Sequence, residues 1–301
     1  MDSAPAPQAA ADVWTVGRLL NWTRDHFTAR GLDQPRLCAE LLLAESLQCR
    51  KIELYTRFDA VPGEAPLTRF RDLVKRAAKN EPIAYLLGRR EFFSLDFRVT
   101  PDVLIPRPET ETLVERAVAY CKTLADETVH LLDMGSGSGC IAVSIARFQA
   151  RVRAVASDIS AAAIDVATAN AAAHGVSDRV RCVVADGLTL PEEAVPSGGF
   201  HLILSNPPYI AESAVAGLPP NVVDYEPRVA LAAGDGLNFY RLLAERGAAL
   251  LRPAGRCFVE IGMGQAAAVI DLFARGGAFA HLGTHRDLGG VDRVLVFERT
   301  I

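Results

Sequence analysis

No apolar run in the 301 residues approaches the roughly 18 that a membrane-spanning helix needs, and the N-terminus lacks the basic-then-apolar pattern of an export signal. The expectation is a soluble, unexported protein with no membrane partner. The six cysteines, Cys38, Cys49, Cys121, Cys140, Cys182 and Cys257, form no CxxC pair and no Cys/His ligand spacing. That argues against a disulfide framework and against a zinc site, and fits the reducing cytoplasm. His281 and His285 have helical ligand spacing but lie in β or loop sequence, so no metal is assigned to them. A positive excess is missing as well. Net charge is −4, and residues 91–301 carry 18 Lys/Arg against 25 Asp/Glu. Non-specific nucleic-acid affinity comes from neutralised phosphates, so an acidic body is a poor duplex-binding surface. A protein or small-molecule substrate is expected, with no direct nucleic-acid contact.

What is present is apolar material enough for a large core: half of the residues are hydrophobic. The length suits two domains, or one large domain with an appendage. Residues 1–12 are Ala/Pro-rich and read as a disordered tail. From Val13 onward the apolar residues recur at helical spacing, as Val16, Leu19, Leu20 and Phe27, then Leu37 to Leu47, then Leu67, Phe70, Leu73, Val74 and Ala77. Pro35 suits a first helical turn, and Pro62 with Gly63 marks a break. The stretch 13–88 is therefore predicted to be a small helical domain. Its last stripe carries Arg69, Arg71, Lys75, Arg76 and Lys79, which reads as a solvated face or as a contact surface for a nucleic-acid-associated partner.

Residues 89–108 read as a hairpin and linker. Phe93, Leu95, Phe97 and Val99 alternate with polar residues as a half-buried strand does, and Ile105-Pro106-Arg107-Pro108-Glu109 then stiffens the chain. A helix follows to about Leu124. From residue 129 to the end, strands and helices alternate: VHLLD, CIAVSIARF, VRAVASD, a helix capped by Ser160 and ended by Gly175, VRCVVAD, and FHLILS. A helix, the strand RCFVEIG, another helix and two terminal β runs complete the series. Such alternation makes an α/β, Rossmann-like, mostly parallel sheet with helices on both faces and an antiparallel strand at one edge, here spanning 109–301.

Two short stretches carry chemistry. Asp133-Met134-Gly135-Ser136-Gly137-Ser138-Gly139-Cys140 joins the first strand to its helix, where glycines let a ligand approach the backbone and a helix N-terminus offers N–H groups. The dinucleotide fingerprint wants Gly or Ala where Cys140 stands, which lowers the nicotinamide reading. Asp158 ends the second strand at the distance downstream where such folds put an acid on a ribose, and Asp186-Gly187 follows the third. Asp158 could also simply cap the next helix, and Asp186 could be a turn residue. Asn206-Pro207-Pro208-Tyr209 follows the fourth strand. Its prolines end the strand, an Asn oxygen and proline carbonyls accept hydrogen bonds from an NH2 group, and a Tyr ring stacks on a flat one. All of these positions fall at the carboxyl ends of parallel strands, where open α/β sheets bind ligands.

Together, PIAYLLGRREFFSLDFRVTPDVLIPRPETE, DMGSGSGCIAVSIA, SNPPYI, DYEPRVALAAGDGLNFYR and RDLGGVDRV resemble the peptide chain release factor glutamine methyltransferase family, from about residue 80 to the end. The resemblance implies a class I methyltransferase fold and S-adenosyl-L-methionine as cofactor. The implied substrate is the glutamine of the Gly-Gly-Gln motif of a release factor, methylated on its side-chain nitrogen. It implies cofactor contacts at Gly135, Ser136, Gly137, Ser138, Gly139, Asp158, Asp186, Gly187 and Asn206, and substrate contacts and catalysis at Asn206, Pro207, Pro208 and Tyr209. The helical domain would help engage the release factor, and the enzyme is expected to act as a monomer. Where the family often has an aromatic residue after Asp186, this chain has Gly187. Glutamine methylation of a ribosomal protein, methylation of a nucleobase amine, and a binding module that has lost the reaction are the alternatives.

Overall fold

The chain's helical and alternating halves fold as two units that divide after Leu87. The computed structural model describes residues 13–300, so the tail expected to be disordered lies outside the described residues.

In the first unit α1 (Val16–Thr28), α2 (Pro35–Leu47), α3 (Lys51–Thr56), α4 (Glu64–Ala77) and α5 (Ile83–Leu87) pack around Phe27, Leu42, Leu43, Leu54 and Phe70. The Thr15 hydroxyl accepts the Arg18 N–H at 3.3 Å and so caps α1. Pro35 opens α2, where its missing N–H would have had no helical partner. Two of the cations expected on the basic face are engaged locally: Arg69 pairs with Glu45 at 2.6 Å and Arg76 with Glu81 at 2.5 Å.

The second unit opens with an antiparallel hairpin, β1 (Arg89–Phe92) and β2 (Leu95–Arg98). Its reversal falls at Phe93 and Ser94, both at positive φ (51° and 60°), the mirror-image turn whose twist matches that of the strands. The alternation expected to run unbroken from Phe93 to Val99 therefore starts in a turn. This register buries Phe92 and Phe97 against each other, ring centroids 6.0 Å apart, in the core of this unit.

After α6 (Glu111–Thr123) come β3 (Val129–Met134), α7 (Cys140–Phe148), β4 (Val152–Asp158), α8 (Ala161–Ala173), β5 (Val180–Val184) and β6 (Phe200–Ser205). A long loop with the short helices α9 (Pro220–Val223) and α10 (Arg228–Leu231) leads to α11 (Asn238–Leu250) and β7 (Leu251–Glu260). The chain then closes with α12 (Ala266–Gly276), β8 (Phe279–Arg286) and β9 (Asp292–Arg299). The sheet order is β5-β4-β3-β6-β7-β9-β8, parallel through β7, with β9 inserted antiparallel to both β7 and β8. Successive strand residues feed opposite cores: Leu131, Leu202 and Leu204 pack on one face, and Leu132 and Ile203 on the other. Each such fully buried side chain stabilises the fold by about 1.5–3 kcal/mol relative to exposure.

The order reverses between β3 and β6, and there the sheet opens a crevice at its carboxyl edge. Met134 lies opposite Ser157 on one side and Ser205 on the other, so the residues that follow β3, β4 and β6 emerge side by side. Among the described residues no helix is long and apolar enough to cross a membrane.

Candidate active site

The crevice is a cleft whose empty space, open solvent included, is about 840 Å³. Gly135 and Gly137 line it, together with Asp158, Asp186, Gly187, Asn206, Pro207 and Pro208. Ser136, Ser138 and Gly139 belong to the same turn but do not line the cleft. Both serines are buried, and a Cβ at Gly139 would come within 3.0 Å of Ala167 on α8, so that glycine serves helix packing. Gly135 and Gly137 have φ of 71° and 52°, and a Cβ on either would meet nothing within 4 Å. Their backbone leaves open room for a ligand.

The turn holds itself together by nearby bonds. Gly135 and Ser136 donate to the Ser157 carbonyl at 2.9 Å, Gly139 to the Ser136 carbonyl at 2.8 Å, and Gly137 to the Asp158 carboxylate at 2.9 Å. These amides, expected to face a ligand, are thus spent inside the protein, and the turn contributes space more than donors. The second Asp158 oxygen accepts the Ser160 N–H at 2.9 Å, while Ser160 itself caps α8. Asp158 therefore has a structural task and a wall position in the cleft at once. Asn170, buried on α8, fastens the turn from behind by donating to the carbonyls of Ser138 and Arg98. Beneath the turn Asp133 is buried, one carboxylate oxygen accepting the Ala142 N–H at 3.1 Å and the other, like the Ser136 hydroxyl, without a protein partner. Burial pushes the Asp133 carboxyl up to about 7, and the nearby Asp158 charge adds to the rise.

A side chain after Asp186 meets a strained backbone and a neighbour that must move. Gly187 has φ of 57°, and a Cβ there would meet Leu242 at 2.7 Å. Phe239, at the start of α11, lines the same cleft together with Ile159 and Ala163.

The Asn206 side of the cleft is fixed by partners far along the chain. Asn206 Nδ2 donates to Thr110 Oγ1 at 3.0 Å. Glu260, at the end of β7, is buried, and burial pushes its carboxyl up to about 7, with Thr110 opposing the rise. The Tyr209 carbonyl accepts from Gln265 Nε2 at 2.9 Å. Burial, with the Glu260 charge adding, pushes the Tyr209 phenol up to about 12, so it stays protonated. Arg293 on β9 donates to the Ile261 carbonyl at 3.0 Å and pairs with Asp287 at 3.1 Å, holding the strand end that carries Glu260. Arg107 forms an ion pair of 2.5 Å with Glu226, whose other oxygen accepts the Ile105 N–H at 3.2 Å. That pair staples the IPRPE turn to the DYEP loop. Thr110, Glu226 and Glu260 lie outside the motifs that local spacing marks, although Glu260, like Asp158, is an acid at the carboxyl end of a parallel strand.

Behind Asn206 and Pro207 lies a second hollow of about 530 Å³, lined also by Leu104, Arg107, Tyr209, Ile210, Leu218 and Leu231. Asn206 and Pro207, with Leu104 and Ala230, line both spaces, the first of which adjoins the glycine turn.

Comparison with known proteins agrees with this arrangement. Residues 18–88 match the family described as PrmC N-terminal domain, and residues 116–218 the methyltransferase small domain. The chain is 41% identical over 285 residues to the release factor glutamine methyltransferase of Geobacter sulfurreducens, covering 94% of this chain and 96% of that one. It is 40% identical over 289 residues to that of Rhodopirellula baltica, covering 95% and 97%. The chain belongs to the release factor glutamine methyltransferase family. The match to the first model extends the resemblance into the helical unit, where only a shared helical character was expected. Among solved structures, the hMettl16 catalytic domain in complex with MAT2A 3′UTR hairpin 1 superposes with a TM-score of 0.53 at 16% identity, over 72% of this chain and 78% of that one. At that identity the likeness speaks for the fold alone.

Proposed function

We infer that this protein transfers a methyl group from S-adenosyl-L-methionine to the side-chain amide nitrogen of the glutamine in the Gly-Gly-Gln motif of a peptide chain release factor. The observation that carries the reading is that Asn206 and Pro207, with Leu104 and Ala230, line both spaces. A donor in one space and an acceptor in the other would meet at these residues.

The cleft fits the cofactor. Gly135 and Gly137 leave it backbone room, the Asp158 carboxylate is at hand for a ribose diol, and Ile159, Ala163, Gly187 and Phe239 offer an apolar wall for the adenine. When bound, S-adenosylmethionine supplies a methyl group activated by a sulfonium. The Asn206 side-chain oxygen and the Pro207 carbonyl each accept one N–H of the substrate amide and fix where its nitrogen points. An amide nitrogen is a weak nucleophile because its lone pair is delocalised into the carbonyl. Positioning is therefore the main task of these residues. The same two oxygens stabilise the positive charge that grows on nitrogen. Neither is basic enough to keep the proton that must then leave, so water takes it. Pro208 keeps the loop rigid, and Tyr209, protonated throughout, packs at the hollow's wall.

The helical unit would help engage the release factor, the enzyme would act as a monomer in the cytoplasm, and the acidic body disfavours a nucleic-acid substrate. The test is methyl transfer from labelled cofactor with release factor, ribosomal protein and nucleic acid offered in parallel. Label on the Gly-Gly-Gln glutamine of the release factor is expected. Label in nucleic acid alone would overturn the reading.

A further inference from the structure

The second hollow has one charged lining residue, Arg107, set among Leu104, Ile210, Leu218 and Leu231. Arg107 does not line the cleft beside the glycine turn. Its guanidinium is tied down at one nitrogen. Nη2 pairs with Glu226 Oε1 at 2.5 Å, and the other Glu226 oxygen accepts the Ile105 N–H at 3.2 Å. Both oxygens of a fully buried carboxylate are thereby engaged, so Glu226 is a fixed anchor. Among the described residues Nε and Nη1 of Arg107 make no hydrogen bond, and the side chain is 31% exposed. A guanidinium is planar, so a bond to one nitrogen sets the plane in which the remaining N–H groups lie. Arg107 therefore offers donors held in one plane at the wall of an apolar hollow.

A glutamine whose amide N–H groups are taken by Asn206 and Pro207 brings carbonyl oxygens with it into these surroundings. A carbonyl that leaves water without finding a donor costs binding energy, and Arg107 is the charged donor at hand. Two kinds of oxygen compete for it. A cation on the side-chain amide oxygen would draw the nitrogen lone pair further into the carbonyl and oppose the positive charge that grows on nitrogen during transfer. On a main-chain carbonyl the same cation stands away from the reacting nitrogen and costs no reactivity.

We propose that Arg107, aimed by Glu226, is a substrate-binding residue that donates to a main-chain carbonyl of the Gly-Gly-Gln segment. The inference rests on the reading of the site given under the proposed function. It adds a residue that holds the backbone of the substrate while Asn206 and Pro207 hold the amide, and it makes Glu226 a positioning residue.

The experiment uses the full-length protein with release factor and labelled cofactor, measuring KM for release factor, kcat and cofactor affinity together with urea unfolding. Arg107→Met should raise KM on the order of 10- to 100-fold, the worth of a hydrogen bond to a charged group, while kcat falls no more than about fivefold and cofactor affinity stays within about twofold. A purely structural role for the ion pair would look different. The double variant Arg107→Met/Glu226→Gln removes the stranded buried charge and keeps an acceptor for the Ile105 N–H, so its urea midpoint should return toward wild type while KM stays raised. Recovery of KM together with stability in the double variant would overturn the proposal, as would a folded Arg107→Met with wild-type KM. A loss confined to kcat would overturn it too, since that would place the cation on the reacting amide. Should Arg107→Met not fold, the double variant decides. A wild-type enzyme that labels no release factor removes the proposed function and this inference with it, whereas wild-type labelling beside unchanged KM in the variants removes only the role of Arg107.

Discussion

The two walls of the cleft are built in opposite ways. On the donor side, Gly137 reaches Asp158 only 21 residues on, and Asp158 reaches Ser160 two residues on. On the acceptor side, Asn206 is held by Thr110 across 96 residues and Arg107 by Glu226 across 119. The first wall is built mainly by β3, β4 and the turns that follow them, with Asn170 on α8 behind. The second exists only when the IPRPET segment, the loop after β6, the DYEP loop and the ends of β7 and β9 have all converged. A cofactor common to many enzymes can be held by a portable turn, while the chemistry peculiar to one substrate needs a surface assembled from several remote pieces.

Substitutions can break this contrast at different points. The largest effect is expected from Asn206→Ala, which removes one of the two acceptors without touching the donor wall. Turnover should fall on the order of 100-fold or more, as when one polarising group of a transition-state site is removed, with cofactor affinity measured by calorimetry within about threefold of wild type. Equal losses of kcat and cofactor binding would mean that the two walls are not separable. Asp158→Ala should do the reverse. It removes a carboxylate that bonds the turn and faces the ribose position, so cofactor should bind about 10- to 100-fold more weakly, the worth of a hydrogen bond to a charged group, and saturating cofactor should recover most of the turnover.

Arg107→Met leaves Glu226 buried beside an apolar neighbour. The Arg107 side chain is 31% exposed and that of Glu226 fully buried, so the loss should lie below the 3–5 kcal/mol of a fully buried pair, at about 2 kcal/mol in urea unfolding. The value of kcat should fall further than the drop in stability accounts for at working temperature, because the second hollow loses a wall. Smallest is Ser160→Ala, which removes the cap of α8 at a cost of about 1 kcal/mol. Its kcat and substrate KM should stay close to wild type, and a strong effect on turnover would tie the donor wall to the acceptor side more tightly than the bonding pattern allows.

That same contrast explains what could be read from the sequence. The strand–turn–helix with its glycines, Asp158, and the Asn206 loop after an apolar strand are contiguous, and each announces its place by local spacing alone. Thr110 sits inside IPRPET and looks like a helix start. Glu260 looks like one polar residue in the strand RCFVEIG, and Glu226 like a loop acid. Their meaning lies in tertiary contacts that no period encodes. The hairpin shows the smaller error of the same kind. The alternation Phe93-Leu95-Phe97 is real, but two residues at positive φ move the reversal onto Phe93, because burying Phe92 with Phe97 outweighs the strand preference of a third phenylalanine. At Gly187 a local departure was visible, and its positive φ and the neighbouring Leu242 on α11 were not.

The insertion of β9 between β7 and β8 has a consequence for how the protein comes into being. Arg293, which bonds the Ile261 carbonyl just past β7, arrives with β9. A growing polypeptide would have its glycine turn and Asp158 in hand long before, yet it could not finish the wall that carries Glu260 until β9 had been made. The donor side of the site thus forms early in synthesis and the acceptor side late, once β9 can pair with β7.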